Sequence, residues 1–180
     1  GRLRRPLSFD VRGLTSMCCC AQNEHIEFLR KAVRKRINES RALKKSLAIV
    51  AKHADGEHKL YRCGSCGQFW QGSRAWNWGN DEYLFRVPAV EVSHWLEEVF
   101  VQPDELLIFT EVLSDFLRQN NFATREAECS VSGCNRPSVS GTSTCLRHHL
   151  QALQAQHQLP ANPNGRWFEP YAHENIVPAL

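Results

Sequence analysis

Apolar side chains recur at intervals of three or four residues in two parts of the chain. The first repeat predicts an amphipathic helix over 24–38, with Asn23 as its N-cap residue. The second repeat predicts a longer helix over 104–119. A shorter helix is expected at 89–100, directly after Pro88. These segments predict the helices of the fold.

Between the first two helices the pattern changes to short strand-like runs. Residues 46–53 and 58–62 flank an Asp-Gly pair, which is a strong turn signal for a β-hairpin. Residues 68–71 and 83–87 predict two further strands. A small antiparallel sheet is therefore expected in the first half of the chain.

The composition favours a globular, cytoplasmic protein. Hydrophobic residues make up 42% and charged residues 23% of the chain, which excludes a disordered polymer. Residues 1–16 precede the only methionine, Met17, and hold no apolar stretch of signal-peptide length, so we expect an upstream extension or an expression remnant there. Eight cysteines without a secretory signal favour metal ligands or free thiols over disulfides.

Four potential zinc ligands lie close together near the C-terminus: Cys129, Cys134, Cys145 and His148, with His149 as the alternative to His148. Zinc needs four donors at tetrahedral angles, often two from a tight turn and two from the start of a helix. Cys145 and His148 are three residues apart and share one face of a helix. The spacing C-x4-C-x10-C-x2-H resembles small treble-clef-type zinc modules of bacterial and phage proteins. The resemblance covers only this segment and implies a fold element rather than an activity.

A second cysteine pair, Cys63 and Cys66, lies in the sequence Cys-Gly-Ser-Cys-Gly. It looks like a zinc-ribbon knuckle, in which glycines leave backbone N–H groups free to bond the thiolates. A redox role is the rival interpretation. A thioredoxin-like motif, however, follows a strand and opens a helix, and here strands are expected on both sides. A metal knuckle is therefore favoured.

One knuckle supplies only half of a four-coordinate site. Three adjacent cysteines make a poor disulfide framework, and we predict that two of them, Cys18 and Cys20, complete the site. Two histidines of the hairpin, His53 and His58, are the alternative donors. At least one Zn2+ is expected, and two if the knuckle is also filled.

Together these patterns predict an α+β fold: a small antiparallel sheet with a zinc knuckle, flanked by helices, plus a C-terminal treble-clef-like zinc module. We expect an α+β domain at 17–122 and the zinc module at 123–180. The module's last ligands should open a helix that runs to about Gln156, followed by an irregular, proline-containing tail. The zinc is expected to be structural, because all four predicted ligands at 129–148 are protein side chains and leave no open position.

Charge is distributed unevenly along the chain. Residues 1–80 hold 16 Lys and Arg against 6 Asp and Glu, whereas residues 81–128 hold 3 against 11. Such separation polarises the surface and favours a macromolecular partner. Arg34 and Lys35 on the basic helix are candidate partner-binding residues.

Aromatic residues crowd the predicted strands, and most are expected in the core. The exceptions are Trp76 and Trp78, which lie in a loop beside Asn and Gly and are candidate interface anchors. The leading functional hypothesis is a non-catalytic binding protein that engages another protein, such as an inhibitor of the immunity or antitoxin type. The second hypothesis is nucleic-acid binding through the basic stretch 24–45.

An enzyme hypothesis comes third. The order of His148 or His149, then Asn162 or Asn164, then His173 matches that of an HNH nuclease. That motif needs a β-hairpin after its first histidines, whereas the sequence there predicts a helix. The protein is therefore not expected to be an enzyme.

Overall fold

The computed structural model describes residues 18–176, except for the side chain of Cys19. The predicted extension at 1–16 lies outside these residues. The architecture is α+β, as the sequence predicts, with a four-stranded antiparallel sheet and a separate two-stranded sheet. The strands are β1 (Leu47–Lys52), β2 (Lys59–Cys63), β3 (Phe69–Ala75), β4 (Asp81–Val87), β5 (Thr124–Glu128) and β6 (Pro137–Val139).

The larger sheet is a simple meander with the strand order β1-β2-β3-β4. Strand β3 continues to Ala75, four residues beyond the predicted end, because Ala75 still pairs with Asp81 of β4. Because Gln71 and Ser73 are polar, the sequence did not indicate that β3 extends this far. Both are fully buried. Gln71 is satisfied there, since its side chain accepts from the indole N–H of Trp95 at 2.9 Å and donates to the carbonyl of Phe100 at 2.9 Å.

Five helices accompany the sheets within residues 18–176: α1 (Arg30–Lys44), α2 (Val92–Glu97), α3 (Pro103–Gln119), α4 (Leu146–Ala155) and α5 (His173–Ile176). The prediction for α3 is confirmed to within one residue. Helix α2 is shorter than expected, whereas α4 ends one residue before the predicted position. None of these helices is long and apolar enough to cross a membrane.

The predicted start of the first helix is wrong. Helix α1 begins at Arg30 rather than at residue 24, and it continues to Lys44. The reason is a contact across the whole chain: the Tyr171 hydroxyl bonds both the N–H and the carbonyl of Ile26. These two bonds hold Ile26 against the C-terminal tail, and helical backbone begins only after Leu29, the N-cap residue of α1. Asn23 therefore does not cap α1.

The main core lies between the larger sheet and α1 and α3. The C-terminal tail also contributes to it, because Phe168, Tyr171 and Ile176 are buried in the same cluster. The prolines of the tail predicted an irregular backbone, but they carry no information on burial. The predicted division between residues 122 and 123 stays a prediction.

Candidate metal centres

The C-terminal cluster is built by the β5–β6 hairpin and helix α4. Cys129 follows β5, and Cys134 lies in the tight turn before β6. Gly133 adopts a left-handed conformation, with φ of 78°, that turns the chain back beside Cys129. Cys145 is the N-cap residue of α4, and His148 lies in its first turn. The hairpin and the start of α4 therefore supply two ligands each, and the four side chains converge on one point.

The spacing of the four ligand atoms suits a tetrahedral ion. All four lie within 4.8 Å of one another. The sulfur atoms of Cys134 and Cys145 are 3.9 Å apart, and Nδ1 of His148 lies 3.5 Å from the Cys145 sulfur. Zinc–sulfur and zinc–nitrogen bonds at tetrahedral angles separate two sulfurs by about 3.8 Å and a sulfur from a nitrogen by about 3.5 Å. The cluster can therefore hold a metal ion with little rearrangement.

Backbone N–H groups make this site favourable for thiolates. Burial opposes ionisation of Cys129, but the N–H groups of Cys145 and Val131 and the His148 ring outweigh it and lower the Cys129 pKa to about 6. At Cys134 the N–H of Arg136 also lowers the pKa. Burial and the neighbouring thiols outweigh this bond, so the Cys134 pKa is raised. A cation among these sulfurs would offset their mutual repulsion.

The N-terminal cluster joins two distant segments. Cys63 and Cys66 flank the turn between β2 and β3, and Cys18 and Cys20 belong to the segment before α1. Their four sulfurs lie within 4.8 Å of one another. The indole N–H of the buried Trp70 donates to the Cys20 sulfur at 3.4 Å, which fixes that thiol against the sheet. The structure thus brings together the four cysteines that the sequence singled out.

The predicted knuckle geometry is present at Cys63. The N–H groups of Cys66 and Ser65 donate to its sulfur and, against the opposing effect of burial, lower the Cys63 pKa to about 7. The N–H of Gln68 likewise donates to Cys66. In both clusters a cysteine sulfur accepts from the residue two positions later, and charge-assisted bonds of this kind stabilise thiolates. Burial acts oppositely at Cys20 and raises its pKa.

The alternative donors His53 and His58 do not reach this cluster. They lie at the β1–β2 turn, whereas Cys63 is at the other end of β2. Five residues of extended strand separate His58 from Cys63 by roughly 16 Å. The two histidines form a group with Asp55 instead. The sequence offered a signal for it, because Asp55 is part of the Asp-Gly turn and the two histidines lie on either side of that turn.

The choice between His148 and His149 is resolved in geometric terms. Nδ1 of His148 lies 3.2 Å from the Cys129 sulfur, whereas the ring of His149 packs against Phe122 at 5.7 Å between centroids. Adjacent residues in a helix point about 100° apart, so only one of them can face the thiols.

This pair provides a matched test. We expect His148→Ala to weaken metal binding at the C-terminal cluster by at least about 100-fold, because a ligand is lost. His149→Ala should leave metal affinity unchanged and cost roughly 1 kcal/mol of stability from the lost ring contact. Competition with a chromophoric chelator measures both affinities. Equal loss in the two variants would contradict the assignment.

The candidate partner-binding residues differ in exposure. Trp76 is 51% exposed, as expected. Trp78 is half-buried and packs against the core, with the Arg30 guanidinium 4.9 Å from its ring centroid. The expectation that Trp78 is exposed is therefore wrong. Arg34 and Lys35 are both exposed on α1.

Another member of the basic helix is not on its surface. Arg36 is 6% exposed and donates to the carbonyls of Leu84 and Glu24. Lys44 is paired with Glu82 at 2.6 Å. Arg36 belongs to the basic stretch 24–45, and the helical pattern of that stretch could not reveal these distant carbonyl acceptors. The basic surface is smaller than the sequence indicates.

The histidines of the nuclease hypothesis make other contacts in the structure. His148 belongs to the cysteine cluster. It lies within α4, and the chain after it stays helical to Ala155 rather than forming a hairpin. The ring of His173 packs against Trp167 at 5.0 Å. Within residues 18–176, His173 joins no group of metal-ligating side chains.

Comparisons with protein-family models, with curated proteins and with solved structures find no match for this chain.

Proposed function

We propose that both cysteine clusters bind structural Zn2+. The observation that carries the proposal is that each cluster offers four protein donors within 4.8 Å, which fills a tetrahedral shell. Thiolate-rich tetrahedral sites favour zinc or iron–sulfur chemistry, and the mixed three-cysteine, one-histidine set is typical of zinc. No position remains for water or substrate, so the ions stabilise the fold rather than catalyse. The C-terminal hairpin and helix would then form a treble-clef-like module.

On this scaffold we propose a non-catalytic binding protein that engages another protein. Its contact surface is the Trp76 face, defined as Trp76 with the exposed cations Arg30 and Arg34 of α1. The Arg30–Trp78 contact ties the start of α1 to the turn that carries Trp76. Arg34 follows one helical turn after Arg30 and shares its side of the helix. Exposed tryptophan and arginine side chains are the residue types of an interaction hot spot.

The charge of this face favours an acidic partner. Helix α1 has no acidic residue in its first turn, and Arg30 in that turn and Arg34 in the next are both exposed. Opposite charge on a partner would accelerate association and set its orientation. An inhibitor of the immunity or antitoxin type is a different form of the protein-binding proposal, in which the acidic segment 81–128 would engage a basic toxin.

A nucleic acid is the second candidate for the same face. An exposed tryptophan can stack on a base, and neighbouring arginines can contact phosphates. The burial of Arg36 and the pairing of Lys44 with Glu82 remove two free cations from the basic stretch 24–45, which favours the protein partner.

Substituting Trp76 tests the proposal. Affinity purification from the native cell, with nuclease treatment, should recover a partner with the wild-type chain. We expect Trp76→Ala to weaken this complex about 30-fold, corresponding to roughly 2 kcal/mol for a hot-spot tryptophan. The matched control is Leu96→Ala, which truncates a side chain that is 43% exposed on α2.

Three outcomes are distinguishable in that experiment. Loss of the partner with Trp76→Ala but not with Leu96→Ala supports the protein-binding proposal. Loss of the complex after nuclease treatment, together with affinity that falls steeply with salt, supports the nucleic-acid candidate instead. Equal retention of a partner by both variants contradicts the assigned face.

A further inference from the structure

A third group of potential metal ligands lies at the turn of the β1–β2 hairpin, apart from both cysteine clusters. It consists of His53, Asp55 and His58, whose ligand atoms lie within 4.8 Å of one another. His53 follows β1 and His58 precedes β2, and the N–H of His53 donates to the carbonyl of His58 at 2.9 Å. One closed hairpin therefore supplies all three side chains.

The carboxylate of Asp55 is held in a fixed orientation. Its Oδ1 accepts from the backbone N–H groups of Glu57 at 2.8 Å and His58 at 3.0 Å. Gly56 permits this turn because its φ is 75°. With Oδ1 occupied by the backbone, Oδ2 faces the imidazoles. These bonds favour the ionised form and, against the opposing effect of burial, hold the Asp55 pKa well below its usual range.

Both imidazoles converge on the same oxygen. Nδ1 of His53 and Nδ1 of His58 each lie 2.7 Å from Oδ2 of Asp55. The ring of His53 also meets the buried Trp95 edge to face, with centroids 6.0 Å apart. Trp95 is itself anchored by its bond to Gln71. The site is thus backed by the core on one side and open to solvent on the other.

This arrangement has the ligand chemistry of a divalent transition-metal site. Two imidazoles and one carboxylate suit zinc, cobalt, nickel or ferrous iron and leave further positions open. Ligand atoms around such an ion lie about 3 Å apart or slightly more, so the ring nitrogens need to retreat from Oδ2 by only a few tenths of an ångström. In neutral imidazoles the proton on Nδ1 moves to Nε2, which frees Nδ1 as a ligand.

We propose that His53, Asp55 and His58 form a third, solvent-open binding site for a divalent transition-metal ion. The site has three protein ligands and no thiolate, so it binds metal more weakly than the cysteine clusters and exchanges it with solvent. Its open positions allow a water molecule or an acidic group of a binding partner to complete the coordination. The site shares no residue with the cysteine clusters, so the proposal is independent of what those clusters hold.

The test is a calorimetric titration of the 180-residue chain with zinc chloride, after gel filtration has removed loosely held metal. The wild-type chain should take up one further ion. His58→Ala and Asp55→Asn should each lower the affinity for that ion at least about 100-fold. Asn retains an oxygen that can accept the two turn hydrogen bonds, so the second variant keeps the hairpin intact. The matched control is His94→Ala, an exposed histidine on α2 outside the group.

A parallel titration with cobalt chloride identifies the ligands. The added cobalt should give absorption of a nitrogen- and oxygen-ligated ion, without the intense charge-transfer bands of thiolate coordination. It should also shift or broaden the imidazole NMR signals of His53 and His58. No uptake beyond the metal retained by the wild-type chain, or uptake that persists in His58→Ala and Asp55→Asn, would overturn the proposal.

Discussion

Replacing Cys145 with alanine is expected to release the metal of the C-terminal cluster and to unfold the β5–β6 hairpin. The expected loss is on the order of 10 kcal/mol, the apparent binding free energy of structural zinc in small modules. Apart from the metal, few buried side chains stabilise the β5–β6 hairpin. All five residues of β5 are exposed, and β6 contributes only Ser138 and Val139 to the interior. A two-stranded hairpin of this kind is marginal in water.

Amide hydrogen exchange of the 124–155 segment measures this effect directly. We expect protection of the hairpin amides to disappear in Cys145→Ala while the four-stranded sheet stays protected. The matched control is Ser143→Ala in the same loop, which removes only an exposed hydroxyl contact to Ser130 and should cost no more than about 1 kcal/mol. A Cys145→Ala chain with wild-type metal content and wild-type protection would contradict the structural role.

The second large effect is expected from Cys63→Ala in the N-terminal cluster. Cys63 is 2% exposed at the end of β2, and its loss removes the ligand that receives two backbone N–H groups. We expect the ion to dissociate and the 18–22 segment to separate from the sheet, because the four sulfurs connect them. The lost binding free energy is again on the order of 10 kcal/mol. The main core between the sheet, α1 and α3 should persist.

Tryptophan fluorescence reports on this change, because the Trp70 indole is fully buried and donates to Cys20. A shift of the emission at low denaturant, before the main unfolding transition, is the expected result. The control variant is Ser65→Ala, whose side chain is exposed in the same turn and whose backbone N–H is retained. Unchanged emission and metal content in Cys63→Ala would argue against a metal at this cluster.

Features that depend on short-range spacing were accessible from the sequence. Cys145 and His148 face one way because a helix repeats every 3.6 residues, and this periodicity holds in any surroundings. The Asp-Gly pair marks the β1–β2 turn for the same local reason. The spacing within one helical turn and one tight turn was therefore enough to predict that the C-terminal ligands converge.

Features set by distant partners could not be read in this way. The N-terminal end of α1 depends on Tyr171, which is 145 residues from Ile26. The burial of Arg36 depends on hydrogen bonds to the carbonyls of Leu84 and Glu24. The hydrophobic periodicity of a helix gives no information about acceptors elsewhere in the chain. Trp78 is half-buried because α1 packs beside the turn that contains it, with Arg30 over its ring. In each case a tertiary contact overrode the local pattern.

The most direct test of the structural-metal proposal is native mass spectrometry of the chain purified without chelator and passed through gel filtration. We expect a mass increase of two zinc ions per chain, falling to one in Cys63→Ala and to one in Cys145→Ala. A folded wild-type chain that carries no metal, or one whose mass reveals cysteines joined as disulfides, would contradict the account.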